Sequence, residues 1–123
     1  MALTVLIVED EAGLRTIYDR ILSSSGCETL LARNGEEAIQ ILSEYVPDLI
    51  FLDMLMPIIS GMDVLQYISN EQPRMANTHV VVVSSAKEYA RYLDIVPSAE
   101  FMLKPILPAQ IRNVAKRLMG VLS

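Results

Sequence analysis

"DLIFLDMLMPIISGMDVL", residues 48–65, reads as a strand, a turn and the start of a helix, with one carboxylate left at the strand's exit. Leu49 to Leu52 are continuously apolar, the pattern of a strand covered on both faces. The helix that follows starts from Ser60 or Gly61 and closes at Pro73. Asp53 is out of character. An unpaired carboxylate in apolar surroundings costs several kcal/mol or takes up a proton.

The same grammar recurs along the chain. Apolar runs lie at 3–8, 79–83 and 100–103, with a weaker one at 28–32. Between them, "EAGLRTIYDRILSSSG" places Leu14, Ile17, Tyr18, Ile21 and Leu22 on one stripe and stops at Gly26. "NGEEAIQILSEYVP" opens on Asn34 as cap, with Glu36 and Glu37 in the first turn, and ends before Pro47. "SAKEYARYLDIVP" predicts a short helix. "LPAQIRNVAKRLMGVLS" predicts a last one, with Pro108 near its first turn and basic residues late. Strand then helix, five times over, forces parallel strands joined by right-handed crossovers, hence a doubly wound α/β sheet. The 123 residues contain no internal repeat, linker or low-complexity tract and predict one domain, 1–123.

Composition narrows the function. Hydrophobic residues at 52% and charged residues at 20% describe a globular chain. A net charge of −5 argues against nucleic acid as a direct partner. Cys27 is the sole cysteine, so neither an intrachain disulfide nor a cysteine zinc cluster can form, and it reads as a small buried side chain. "MALTVLIVEDE" lacks a basic segment before its apolar run, which acids end after six residues; it is no signal peptide. No apolar stretch approaches the ~20 residues of a membrane span. A cytoplasmic protein is expected.

In doubly wound sheets, ligands bind at the carboxyl ends of the strands. Here the first run ends in Glu9, Asp10 and Glu11, and the third in Asp53. The fourth ends in Ser84 and Ser85, and the fifth in Lys104 and Pro105. Crowded carboxylates repel, and a hard divalent cation such as Mg²⁺, which takes oxygen ligands, relieves them. His79, the one histidine, falls at the opposite end of its strand. Lys104 offers a point charge for an anion such as phosphate. Each residue alone has a plainer reading: Asp10 or Glu11 as a helix cap, Ser85 as an N-cap, Lys104 as a solvated lysine. Their coincidence on one rim describes phosphoryl transfer to a carboxylate nucleophile.

On these residues the whole chain resembles the receiver domain of two-component response regulators. "VLIVEDE" resembles the family's acidic turn, with Glu9 and Asp10 as the metal pair. "DLIFLDMLMPIISGMDVL" resembles its phosphorylation segment, with Asp53 the phosphoacceptor and the Leu55 backbone carbonyl a further metal ligand. "VVVVSSA" resembles the fourth-strand segment, with Ser85 at the switch hydroxyl position. "FMLKP" resembles the fifth, with Lys104 contacting phosphate, Phe101 the aromatic switch and Pro105 following a cis bond. The resemblance implies a (βα)5 flavodoxin-like fold of strand order 2-1-3-4-5. It also implies Mg²⁺ as cofactor, and a phosphodonor that is a sensor histidine kinase, a phosphotransfer protein or a small molecule such as acetyl phosphate. Output would pass through the face of the fourth helix, fifth strand and fifth helix to a protein partner or an output domain absent from these residues, by a monomer or a phosphorylation-dependent dimer. The domain would catalyse its own phosphorylation and slow dephosphorylation.

Two departures stand out. Ser85 and Lys104 are 19 positions apart, a few fewer than is usual in the family, so the helix after the fourth strand should be short. The Gly-Ala usual before the fifth strand reads Val96-Pro97-Ser98-Ala99. Three other readings compete with this one. An aspartyl phosphatase wants a second acid two residues after the nucleophile, where Leu55 stands. A flavin carrier wants a Gly- and hydroxyl-rich loop in place of "EDEAG". A docking module that never turns over phosphate needs no competent site. The positions two after Asp53 and two after Ser85, Leu55 and Lys87, are those that influence attack by water on the acyl phosphate in relatives. Leu55 offers that water no hydrogen bond. Phosphate loss from acetyl-phosphate-treated protein should therefore be slow and Leu55→Asn should hasten it; a lifetime of seconds in the parent would count against this.

Overall fold

The computed structural model of the chain describes residues 2–54 and 60–120. Five strands alternate with helical segments: β1 (Thr4–Val8), α1 (Ala12–Ser24), β2 (Glu28–Ala32), α2 (Gly35–Glu44), β3 (Leu49–Asp53), α3 (Gly61–Asn70), β4 (His79–Ser84), a 3₁₀ segment (Lys87–Ile95), β5 (Ala99–Leu103) and α4 (Pro108–Leu118). The sheet is parallel throughout and its order is β2-β1-β3-β4-β5, a flavodoxin-like sheet as expected. Among the described residues, no helix is long and apolar enough to cross a membrane.

Strand parity sorts the core into two layers. Leu6, Val8, Ile50, Leu52, Val80 and Val82 turn to the side of α2 and α3, where they meet Leu42, Val64, Leu65 and Ile68. Val5, Ile7, Leu49, Phe51, Val81 and Val83 turn to the side of α1 and α4, against Tyr18, Leu22, Ile111 and Val114. Both faces are covered, which is why these strands read as continuous apolar runs and not as alternating ones. β3 is buried at all five residues, so it delivers its last residue, Asp53, from a rigid centre.

Local chemistry starts each helix where the sequence places it. The Asn34 side chain accepts the Glu37 N–H. The Asp63 carboxylate accepts both the Ser60 N–H and its hydroxyl. The Glu11 carboxylate accepts the Gly13 and Leu14 N–H groups, so of the three acids after β1 this one is the helix cap. Pro108 sits in the first turn of α4, with Lys116 and Arg117 in its last.

The segment after β4 is short, nine residues, and it winds as 3₁₀ with no fully buried residue. A 3₁₀ turn eclipses positions i and i+3, and Tyr89 lies against Tyr92 with ring centroids 5.9 Å apart. Val96 then drops into the α2/α3 layer, and the Ser98 hydroxyl donates to the Thr78 carbonyl, fastening the entry to β5. The thinner cover leaves β5 only partly buried along its length. α4 is thus the family's fifth helix, and the fourth is the 3₁₀ segment.

Gly61 opens α3 under tight constraint. Its N–H donates to the Met54 carbonyl at 3.3 Å. A β-carbon there would fall 2.6 Å from the Asp53 carbonyl oxygen and 2.5 Å from the Met54 α-carbon. Both atoms belong to the backbone, so neither can swing away. Gly61→Ala should lower stability by roughly 1–3 kcal/mol, read as a lower urea midpoint at unchanged slope. An unchanged midpoint would show that this approach yields freely.

Candidate functional site

Glu9 follows β1 and is held from three directions. Its N–H donates to the Ala32 carbonyl at 3.1 Å, and its carboxylate accepts the Glu11 N–H at 3.1 Å. Arg15, one turn into α1, donates to the carbonyl oxygens of Glu9 at 2.8 Å and Asp10 at 3.4 Å. The guanidinium pins the acidic turn by its backbone and leaves the carboxylates free to face the rim. Sequence reading missed Arg15, because a side-chain-to-carbonyl contact six residues back has no spacing signature.

The acids converge as predicted. Glu9 and Asp53 are buried and Asp10 is exposed, yet one carboxylate oxygen from each lies within 4.8 Å of the others. Lys104 reaches them from the end of β5, with Nζ 3.4 Å from Asp53 Oδ2 and 3.7 Å from Glu9 Oε1. One ammonium faces three carboxylates. Burial, with the Asp53 charge adding to it, pushes the Glu9 carboxyl up to about 7, although the Glu11 N–H and Lys104 pull the other way. Tyr18 meets Phe51 in a tilted ring contact, centroids 5.2 Å apart; burial, then the Glu9 and Asp53 charges, push its phenol further up, so it stays neutral. An all-oxygen donor set with surplus negative charge fits Mg²⁺. Leu55, the fourth expected ligand, lies outside the described residues.

The two switch residues are not brought together. Phe101 pairs with Val82 in the β4–β5 register and packs into the α2/α3 layer. Ser84, two beyond Val82, shares that face by parity and is buried. Its hydroxyl oxygen accepts the Ala86 N–H at 3.0 Å, and its carbonyl accepts the Lys104 N–H at 2.9 Å. Ser85 is exposed and turns to the other side. There it lines a cleft of about 380 Å³ with Leu14, Ile17, Tyr18, Lys104 and Ile111. The hydroxyl on the aromatic's side is therefore that of Ser84 and not that of Ser85, one residue from the expectation. Counted from Ser84, the position two further on is Ala86, not Lys87, and Lys104 lies 20 residues away. "VVVVSSA" offers two adjacent hydroxyls; the pairing of Asp53 with Val83 decides between their faces. The Lys104–Pro105 bond is cis, as the resemblance implied.

The model of the response regulator receiver domain family matches residues 5–116. The chain is 33% identical over 110 residues to the Regulator of RpoS of Escherichia coli K12, covering 89% of this chain and 31% of that protein. It is 30% identical over 114 residues to the chemotaxis protein CheY of Thermotoga maritima, covering 90% and 92%. The signal receiver domain of a signal transduction histidine kinase from Syntrophus aciditrophicus superposes with a TM-score of 0.82 at 30% identity, covering 99% and 93%. The chain spans about a third of the length of the first curated relatives it matches.

Without divalent cation, Glu9 holds its proton more tightly folded, at about 7, than at the ordinary 4.5 of an unfolded chain. The stability this supplies is complete below about 4.5 and is lost as pH rises through about 7. Melting temperature of the metal-free domain should therefore fall between pH 5 and pH 8, and Glu9→Gln should flatten the slope. An equal slope in the variant would remove Glu9 as its cause.

Proposed function

The chain belongs to the response regulator receiver domains of two-component systems, and from that premise we propose that it is a phosphorylation switch whose phosphoacceptor is Asp53. The observation that carries this reading is the buried Asp53 carboxylate at the rim, 3.4 Å from Lys104 and clustered with Glu9 and Asp10. A carboxylate delivered by a fully buried strand is held in one attack geometry.

An Asp53 oxygen attacks the phosphorus of a phosphohistidine, carried by a sensor histidine kinase or a phosphotransfer protein, or of a small acyl phosphate. The bond to the donor breaks and an acyl phosphate forms on Asp53. Lys104 sits where its ammonium meets a phosphoryl oxygen on Asp53, and its backbone is tied to Ser84. Glu9, Asp10 and Asp53 would hold Mg²⁺, with the Leu55 carbonyl as the resemblance implies; when bound, the ion supplies positive charge against the transferring phosphoryl group. The transferred group adds charge and three acceptor oxygens at the end of β3, next to the end of β4. Ser84 is the hydroxyl that turns to it, and Phe101 on the same face takes the space released. Leu103 and Leu107 lie 50% and 61% exposed beside Phe101, which supports β5 and the start of α4 as the face read by a protein partner or an output domain.

Beryllofluoride with Mg²⁺, which imitates the acyl phosphate, should shift the amide spectrum around Asp53, Ser84 and Phe101 and raise the melting temperature. Asp53→Asn should abolish both effects. Ser84→Ala should still accept phosphate from acetyl phosphate but lose the change at Phe101, whereas Ser85→Ala should keep it. No response in the parent would leave a docking module that never turns over phosphate. Loss of the Phe101 response in Ser85→Ala alone would return the switch to Ser85.

A further inference from the structure

On the flank away from the acidic rim, Arg20 of α1 and Arg112 and Lys116 of α4 line a groove of about 330 Å³, with Ile21, Ser24 and Ser25 completing it. No acid lines this groove, on a protein whose net charge is −5. Four cations elsewhere are paired with acids, Arg33 with Glu37, Arg74 with Glu71, Arg117 with Glu100 and Lys104 with Asp53, while Lys87 and Arg91, also without an acid partner, stand apart on the 3₁₀ segment. Among the described residues, the side chains of Arg20, Arg112 and Lys116 make no hydrogen bond or ion pair. Asp19, adjacent to Arg20, is engaged by the hydroxyls of Ser23 and Thr29. α4 holds no acidic residue, and Arg112 and Lys116 stand at i and i+4, where like charges repel across one turn. Three cations kept together without a counter-charge are an electrostatic strain that an anion relieves.

We propose that this groove binds the phosphate chain of an oligophosphate ligand. Two guanidinium forks match pairs of phosphoryl oxygens, and Lys116 adds a point charge beside them. The Ser24 hydroxyl suits the same oxygens, while that of Ser25 is spent on the Ile21 carbonyl. No aromatic side chain lines the groove to stack a nucleobase, and Ile21 alone offers too little apolar surface for an amphipathic peptide helix. Recognition therefore falls on the charge-dense chain itself, whether it is inorganic or the tail of a nucleotide. Lys104 and the acids at the rim take no part.

Thermal denaturation and calorimetric titration of the whole chain, in divalent-free buffer at fixed ionic strength, test this with three probes: tripolyphosphate, ATP and sulfate. Tripolyphosphate should raise the melting temperature by several degrees, ATP should bind with equal or weaker affinity, and sulfate at matched ionic strength should do far less. R112E/K116E should weaken tripolyphosphate binding by about tenfold or more. R20E, on the other helix, should do the same and serves if the double variant fails to fold. R91E removes an unpaired cation elsewhere and should bind as the parent does. An equal shift from sulfate, unchanged binding in R20E and R112E/K116E, or ATP binding more than about tenfold tighter than tripolyphosphate would each overturn the proposal.

Discussion

One ammonium facing three carboxylates is the constraint around which this domain is arranged. Lys104 lies within 3.7 Å of both buried acids and offsets part of their charge, yet burial first, and the Asp53 charge after it, still push the Glu9 carboxyl up to about 7. Such a cluster survives only on a frame that cannot relax away from it. β3 is buried end to end, Arg15 fastens the acidic turn through its carbonyls, and the Lys104 amide is bonded to the end of β4. The excess negative charge is thereby stored at the rim, available to a cation.

The fold was legible because its signals are strong and local. Four near-continuous apolar runs announced strands covered on both faces, and Asn34, Ser60 and Pro108 announced helix starts that the backbone adopts. The order of the strands came from the family resemblance, not from periodicity. The segment at 87–95 was foreseen as short, but residue spacing alone does not distinguish a short α-helix from a 3₁₀ one. Glu11 kept its plain reading as a helix cap, while Glu9 and Asp10 joined Asp53.

At the site, the residues that end strands were legible and the facing of one hydroxyl was not. Two serines in succession give no parity mark of their own. A one-residue slip in counting moves a side chain to the opposite face of the sheet. Only the register of β4 against β3 and β5 separates Ser84, beside Phe101, from Ser85, in the cleft above α1. Arg15 was missed for a related reason: its partners are backbone oxygens, to which residue patterns are blind.

The sheet itself divides the domain's labour. Asp53, Lys104 and the cleft that holds Ser85 belong to the α1/α4 side, while Ser84, Phe101 and the exposed Leu103 belong to the other by strand parity. A closely packed, five-stranded layer lies between them and bends little. The two sides meet only around the carboxyl edge, at the short stretch where β4 ends, and not through the core. They share no packing layer, so side chains on one can be exchanged without repacking those on the other.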